Sequence, residues 1–236
     1  MPLARHSGSQ IDVRDAMMGP MLRTYTPADH DALVDLFARA GADAPGGELW
    51  RHLPSERMIY LDPYIENCPD TLFLAEIEGD LVGYLTGCPD SALIPGEDER
   101  FTKAVIEHKL MLRPRSLPFF LRSLFDMVTT KLRGGEVASG EAVDHRWPAH
   151  LHINLAPEAR GTGVAQEMMA AWQAWLTRAN SPGCHLQTMV ENTRAARFFT
   201  TCGFVPHGST PLVPGVRYGG RPVHQQTMVW TPPMAG

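Results

Sequence analysis

The chain has 236 residues, 44% hydrophobic and 20% charged, which suffices for a buried core without disulfide or metal staples and argues against disorder. A formal net charge of −5 excludes the strongly basic balance of a nucleic-acid binder, and no apolar run reaches the roughly 18 residues a membrane helix needs, so neither partner is expected. Cys68, Cys88, Cys184 and Cys202 form no C-x-x-C pair and read as reduced thiols of a cytoplasmic protein, not as a zinc or disulfide framework.

Residues 1–20 hold no apolar core of a secretory signal and read as a disordered leader, with Met17, Met18 and Met21 all plausible starts. Residues 21–25 form a β-like run. Thr26, Pro27 and Asp29 then supply a helix start, with Leu33, Leu36, Phe37 and Ala40 on one face. Gly41 and the Gly46-Gly47 pair close this unit, and a second short helix is expected between Glu48 and Met58. Two β-prone runs, 71–76 and 81–86, flank a gap containing Gly79 and predict a hairpin. Between 88 and 149 the pattern turns helical. Phe101, Val105, His108 and Leu112 share one stripe, and Leu121, Leu124, Phe125, Val128 and Leu132 share another; a loop runs from Gly134 to Pro148.

The remainder alternates. A strand at 150–155 and a turn at 156–160 lead into a helix striped by Val164, Met168, Ala171, Trp172, Trp175 and Leu176. A strand at 185–190, a helix striped by Ala195, Phe198, Phe199 and Cys202, and closing strands at 204–206 and 223–230 follow. The two strands joined by the first of these helices should be parallel, through a right-handed crossover. The fold class is α/β, a mixed sheet flanked by helices, in one domain over 21–232 with a helical insertion at 88–149.

Arg160, Gly161, Thr162, Gly163, Val164 and Ala165 lie between a predicted strand and a predicted helix. Small residues let a ligand approach the backbone, and the helix start offers unpaired N–H groups at a positive dipole end, which suits a pyrophosphate. The dinucleotide pattern fails because Gln166 occupies the third glycine position, and the P-loop pattern fails for want of Lys-Ser/Thr. The turn alone leaves the ligand open.

Residues 155–165 (LAPEARGTGVA) resemble the acetyl-CoA signature of the GCN5-related N-acetyltransferases (GNAT), R/Q-x-x-G-x-G/A after a strand end. Residues 192–204 (NTRAARFFTTCGF) are similar to that family's second motif, N-x-x-A-x-x-F-Y-x-x-x-G-F. More narrowly, residues 147–155 (WPAHLHINL) resemble the acetyltransferase-like domain at the C-terminus of O-GlcNAcases and its free-standing bacterial relatives. The resemblance implies a splayed mixed sheet, an insertion between its third and fourth strands, and acetyl-CoA as co-substrate, without a metal. It further implies that N–H groups across Arg160–Ala165 hold the pyrophosphate, that Leu155 and Ala156 pair with the pantetheine arm, and that Asn192 lies along it with Phe199 nearby. The implied activity is direct acetyl transfer to a primary amine; the alternative is an acetyl-CoA-binding module with weak or no turnover.

His150, His152 and Asn154 alternate along one strand face, so His152 is the first candidate to relay a proton at neutral pH, or else to orient the acceptor. A metal role for the H-x-H pair lacks a third ligand. Glu191 is a second candidate base, or a charge complementing a helix N-terminus. Phe199 stands where many family members carry Tyr, and Asn154 where the narrower relatives more often have Asp. Residues 100–133 hold eight basic residues against two acids, which leads to the expectation of a segment capping the acceptor pocket and favouring an anionic small-molecule or peptide amine. The same charges fit a solvated helix face. The oligomeric state stays open, with a homodimer as one expectation.

Overall fold

The structure, a computed structural model, describes residues 20–40, 49–140 and 144–233; the leader up to residue 19, Gly41, the Gly46-Gly47 pair and Glu48 lie outside them. Strand β1 (Met21–Thr24) is followed by a single 3-10 turn, Pro27–Asp29, and helix α1 (His30–Ala40). The Asp29 carboxylate accepts the Thr26 N–H at 2.8 Å and is itself held by Arg23, so the predicted helix start forms. Leu33 and Leu36 are buried against the sheet. Two short helices, α2 (Leu53–Tyr60) and α3 (Asp62–Asn67), follow; the second carries no amphipathic stripe long enough to be read from sequence.

The hairpin β2 (Leu72–Ile77) and β3 (Asp80–Cys88) turns through Glu78 and Gly79, both at positive φ, the conformation of the two-residue turns whose twist matches paired strands. Helices α4 (Glu97–Glu107) and α5 (Leu117–Leu132) then precede β4 (Ala149–Leu155). Beyond it come α6 (Val164–Arg178), β5 (Cys184–Met189), α7 (Thr193–Thr201), β6 (Val205–His207), β7 (Leu212–Tyr218) and β8 (Arg221–Trp230). The sheet order is β1-β2-β3-β4-β5-β8-β6, with β7 paired to β8. Among the described strands, β4 and β5 form the one parallel pair. Strand β7 was not foreseen: Pro214 and Gly215 interrupt its alternation, and its register with β8 shifts between Val213 and Arg217.

One core lies between the sheet and α6, where Val164, Met168, Met169, Trp172 and Leu176 are buried; α1 covers the other face. A third cluster joins α2, α4 and α5 to β7 and β8 through Trp50, Ile59, Ala104, Phe119, Val216 and Val223. Phe119 and its partly buried neighbour Phe120 belong to this core. The orientation of α5 departs from the hydrophobic pattern. Arg217 of β7 grips Asp126 with two bonds of 2.7 Å, and the Gly215 N–H adds a third at 2.8 Å, so the side bearing Asp126 turns inward. The apolar stripe consequently faces solvent, with Leu121 60%, Phe125 67% and Leu132 82% exposed.

Gly87 shows how tightly the α6 layer is set. A Cβ at this position would lie 2.5 Å from the indole of Trp172, which is fully buried and stacked on Trp175. Gly87→Ala should therefore destabilise the protein by about 1–3 kcal/mol through overpacking. A lowered urea midpoint with unchanged slope checks this; an unchanged midpoint contradicts it.

Candidate active site

The parallel pairing of β4 with β5 consists of Ala149 opposite Cys184 and His150 opposite His185. Past those residues the two strands part, although β4 stays paired to β3 as far as Leu155 and β5 to β8 as far as Met189. The inner edges of both strands therefore face a gap. A cavity of about 780 Å³ opens there, lined on the β4 side by Ile153, Asn154 and Leu155.

The turn into α6 forms the floor of this cavity. Gly161 and Gly163 have φ of 80° and 84°, and a Cβ on either would meet only open space, so glycine is demanded by the backbone and the volume beside it stays clear. Among the described residues the N–H groups of Gly161, Gly163 and Ala165 make no hydrogen bond, and they lie at the N-terminal, positive end of α6. Arg160, Gly161, Gly163, Ala165, Asn192 and Phe199 all line the cavity with Leu155. Three other predicted contacts do not line it. Ala156 and Val164 are buried in the cores, and the Thr162 hydroxyl turns back to the Ala159 carbonyl at 2.8 Å.

Asn192 caps α7, its Oδ1 accepting the Ala195 N–H at 3.2 Å. Phe199 packs between Phe198 and Phe204, its ring forming wall and offering no proton. Arg194 and Arg197 also line the cavity and went unnoticed in the sequence. A signal was present: two cations near the start of a helix oppose its dipole unless an anion sits beside them. With Arg160 they give the cavity three guanidiniums.

A second cavity of about 350 Å³ lies on the other side of Asn154, which lines both. Glu56, Tyr60, Tyr84, Glu97 and His152 contribute its polar wall. As the alternation of β4 predicts, His150 and His152 share a face, and the hydroxyl of Tyr64 from α3 joins their Nε2 atoms at 2.8 and 2.9 Å. Protons can be assigned along this chain. Ser91 Oγ donates to the Pro148 carbonyl (2.9 Å), so it accepts from His150 Nδ1 (2.7 Å); His150 Nε2 then accepts from Tyr64, and Tyr64 accepts from His152 Nε2. This leaves His152 Nδ1 as a lone pair without a partner among the described residues.

Burial lowers the His152 pKa to about 4, and the positive Arg100 and neighbouring His185 add to the shift. His150 is driven well below its ordinary value, again chiefly by burial. The expectation that His152 titrates near neutrality is thereby corrected: it is a neutral hydrogen-bond acceptor. Asn154 stands opposite Tyr84 in the β3–β4 ladder. Glu191 is corrected too. It lines neither cavity and accepts both the backbone N–H and the Nδ1 of His224 at 2.9 Å. Burial pushes its carboxyl up, but the His224 bonds prevail and hold it below the ordinary value.

The basic segment does not line the acceptor side either. Arg100 is buried beneath it, its guanidinium donating to the Ile59 carbonyl and lying over the Tyr64 ring, while Arg122 donates to Gly215 O and Arg113 to His108 O. No metal-binding group of three or more His, Cys, Asp or Glu occurs among the described residues.

Residues 127–206 match the acetyltransferase (GNAT) domain model. Among solved structures, SsHAT is 20% identical over 89% of this chain and 98% of its own, with a TM-score of 0.54. The putative acetyltransferase yncA of Salmonella typhimurium, solved with acetyl-CoA, is 12% identical over 92% and 96%, TM-score 0.56. Ribosomal-protein-alanine N-acetyltransferase of Brucella melitensis is 17% identical over 89% and 99%, TM-score 0.52. The fold is that of the GNAT acetyltransferases.

Gly163→Glu combines backbone strain with a carboxylate at the α6 terminus, and should weaken acetyl-CoA binding by about 10²-fold or more in calorimetry; parent-like affinity contradicts the assignment. Acid stability tests the histidine chain. The His152 pKa near 4 lies below its ordinary 6.5, so the unfolded state takes up the proton first as pH falls. This contribution is intact above about pH 6.5 and is lost progressively down to about pH 4. The Tm should drop across that window, and His152→Gln, which can still donate to Tyr64, should show a shallower drop. Equal slopes would contradict the buried neutral imidazole.

Proposed function

We propose that the protein is an acetyl-CoA-dependent N-acetyltransferase that moves acetyl directly to a primary amine. One observation carries the reading: an arginine- and amide-lined cavity meets a smaller polar cavity at a single side chain, Asn154, in the gap where β4 and β5 part. The N–H groups of the α6 turn with Arg160, Arg194 and Arg197 suit the phosphates of the coenzyme, and the unpaired edge of β4 suits the amides of its pantetheine arm. The similarity of residues 147–155 to O-GlcNAcase-type acetyltransferase-like domains supports a narrower kinship, and the buried thiols of Cys68, Cys88 and Cys184 support a cytoplasmic setting.

The coenzyme brings the activated acetyl group; the chain supplies position and proton handling. The amine must arrive as, or become, the neutral form, losing one proton to a carboxylate or to water. Its nitrogen then bonds to the acetyl carbon as the carbon–sulfur bond breaks. The nitrogen's second proton goes to the departing thiolate, so one proton is released to solvent per turnover. His152 Nδ1 can accept a hydrogen bond from the amine and aim its lone pair, and the Asn154 amide can donate to the carbonyl oxygen as charge grows there.

A second reading, an acetyl-CoA-binding module with little turnover, is favoured by Phe199, which offers the thiolate no proton, and by the absence of an ionisable group at Asn154. Incubation with acetyl-CoA and a panel of primary amines, following thiol release and product mass, separates the two. We expect turnover, and a drop of about 10²-fold in kcat/KM for Asn154→Ala. Acetyl-CoA binding with no thiol release from any amine would establish the module instead.

A further inference from the structure

The two cavities that meet at Asn154 carry opposite charge. The larger is ringed by guanidiniums. The smaller shows no Lys or Arg among its described lining residues, and it holds two carboxylates, Glu56 from α2 and Glu97 from the start of α4. Both lie near enough to Tyr60 to push its phenol up, although its burial is the larger cause. Tyr60 donates to Glu97 Oε1 at 3.0 Å, and Glu56 accepts only a long bond of 3.4 Å from the His52 N–H. A carboxylate has about four lone-pair sites, so most of this accepting capacity is unmet among the described residues, in a wall that mixes Leu49, Leu53, Met189, Val213 and Val216 with the neutral polar Gln187, Thr188 and Gln225. Burial raises the pKa of both groups, and the nearby Arg100 charge offsets only part of the rise at Glu97. His152 and Asn154 line the same cavity.

We propose that the acceptor is a small amine carrying a second cationic centre, whose distal ammonium is held by Glu56 and Glu97 while its reacting nitrogen lies toward His152 and Asn154. This rests on the acetyl-transfer reading and sharpens it. It also replaces the anionic acceptor suggested by the basic segment, because none of those cations lines the cavity, and Arg100, Arg113 and Arg122 donate to main-chain carbonyls.

Three probes share a short aliphatic amine and differ at the far end: putrescine (ammonium), butylamine (methyl) and γ-aminobutyrate (carboxylate). Each is titrated calorimetrically into the full-length protein, with and without CoA, and offered as acceptor with acetyl-CoA. Putrescine should bind, and be used, at least about tenfold better than butylamine, with γ-aminobutyrate weakest. Glu56→Gln and Glu97→Gln should erase that order while the affinity for acetyl-CoA stays at the parent value; Gln at 97 can still accept from Tyr60. Equal binding of the three probes, preference for γ-aminobutyrate, or an order that survives both substitutions would overturn the proposal. Failure of acetyl transfer with acetyl-CoA bound would overturn the transferase reading alone, since the binding order of the probes is read without turnover.

Discussion

The early end of one strand pairing governs the molecule. A parallel pair that stops after two residue positions leaves β4 and β5 each with one satisfied edge and one open edge. Buried backbone groups without partners are costly, so such a gap persists only where something else can meet them. The outer partners β3 and β8 hold their strands along the full length, and the layers of α1 and α6 fix the sheet from both faces, so the gap cannot close by simple collapse. The same divergence puts the turn into α6 beside the opening, aiming its unpaired amides at whatever enters. The larger cavity, the glycine turn and the smaller cavity are thus consequences of where one ladder ends.

Much of this was legible because it is local. The turn at 160–165 carries its glycines in consecutive sequence, the crossover helix carries a full apolar stripe, and alternation on β4 puts His150, His152 and Asn154 on one face. The hidden features all depend on residues far apart in the chain. Tyr64, on a six-residue helix with no readable pattern, reaches across to bond both histidines and thereby fixes their tautomers. His152 kept the expected position but not the expected protonation, because burial, helped by the Arg100 charge from a helix more than fifty residues away, disfavours the charged form. Glu191 looked like a base by adjacency to Asn192, yet His224, on the last strand, claims it.

The helical segment between β3 and β4 teaches the same lesson about faces and charges. Its apolar stripe predicts a core-facing side, but the bidentate pair of Asp126 with Arg217 and the Gly215 amide outrank it. A buried carboxylate must keep its partners, whereas exposed leucines cost comparatively little. Its basic residues likewise looked like an electrostatic surface, and several instead donate to main-chain carbonyls. Net charge along a sequence window carries no information about which charges point into a cavity.

The neutrality of Asn154 follows from where it stands. On one side lie three guanidiniums suited to phosphates; on the other lie two carboxylates suited to a cation. An aspartate at this junction would be drawn to the arginines and repelled by Glu97, and it would present only acceptors to a carbonyl oxygen gaining negative charge. A neutral amide presents a donor and takes no side in the charge separation. The residue that departs from the narrower relatives' pattern is therefore consistent with transfer at this site: it keeps the two ligand fields apart while leaving an N–H for the oxygen between them.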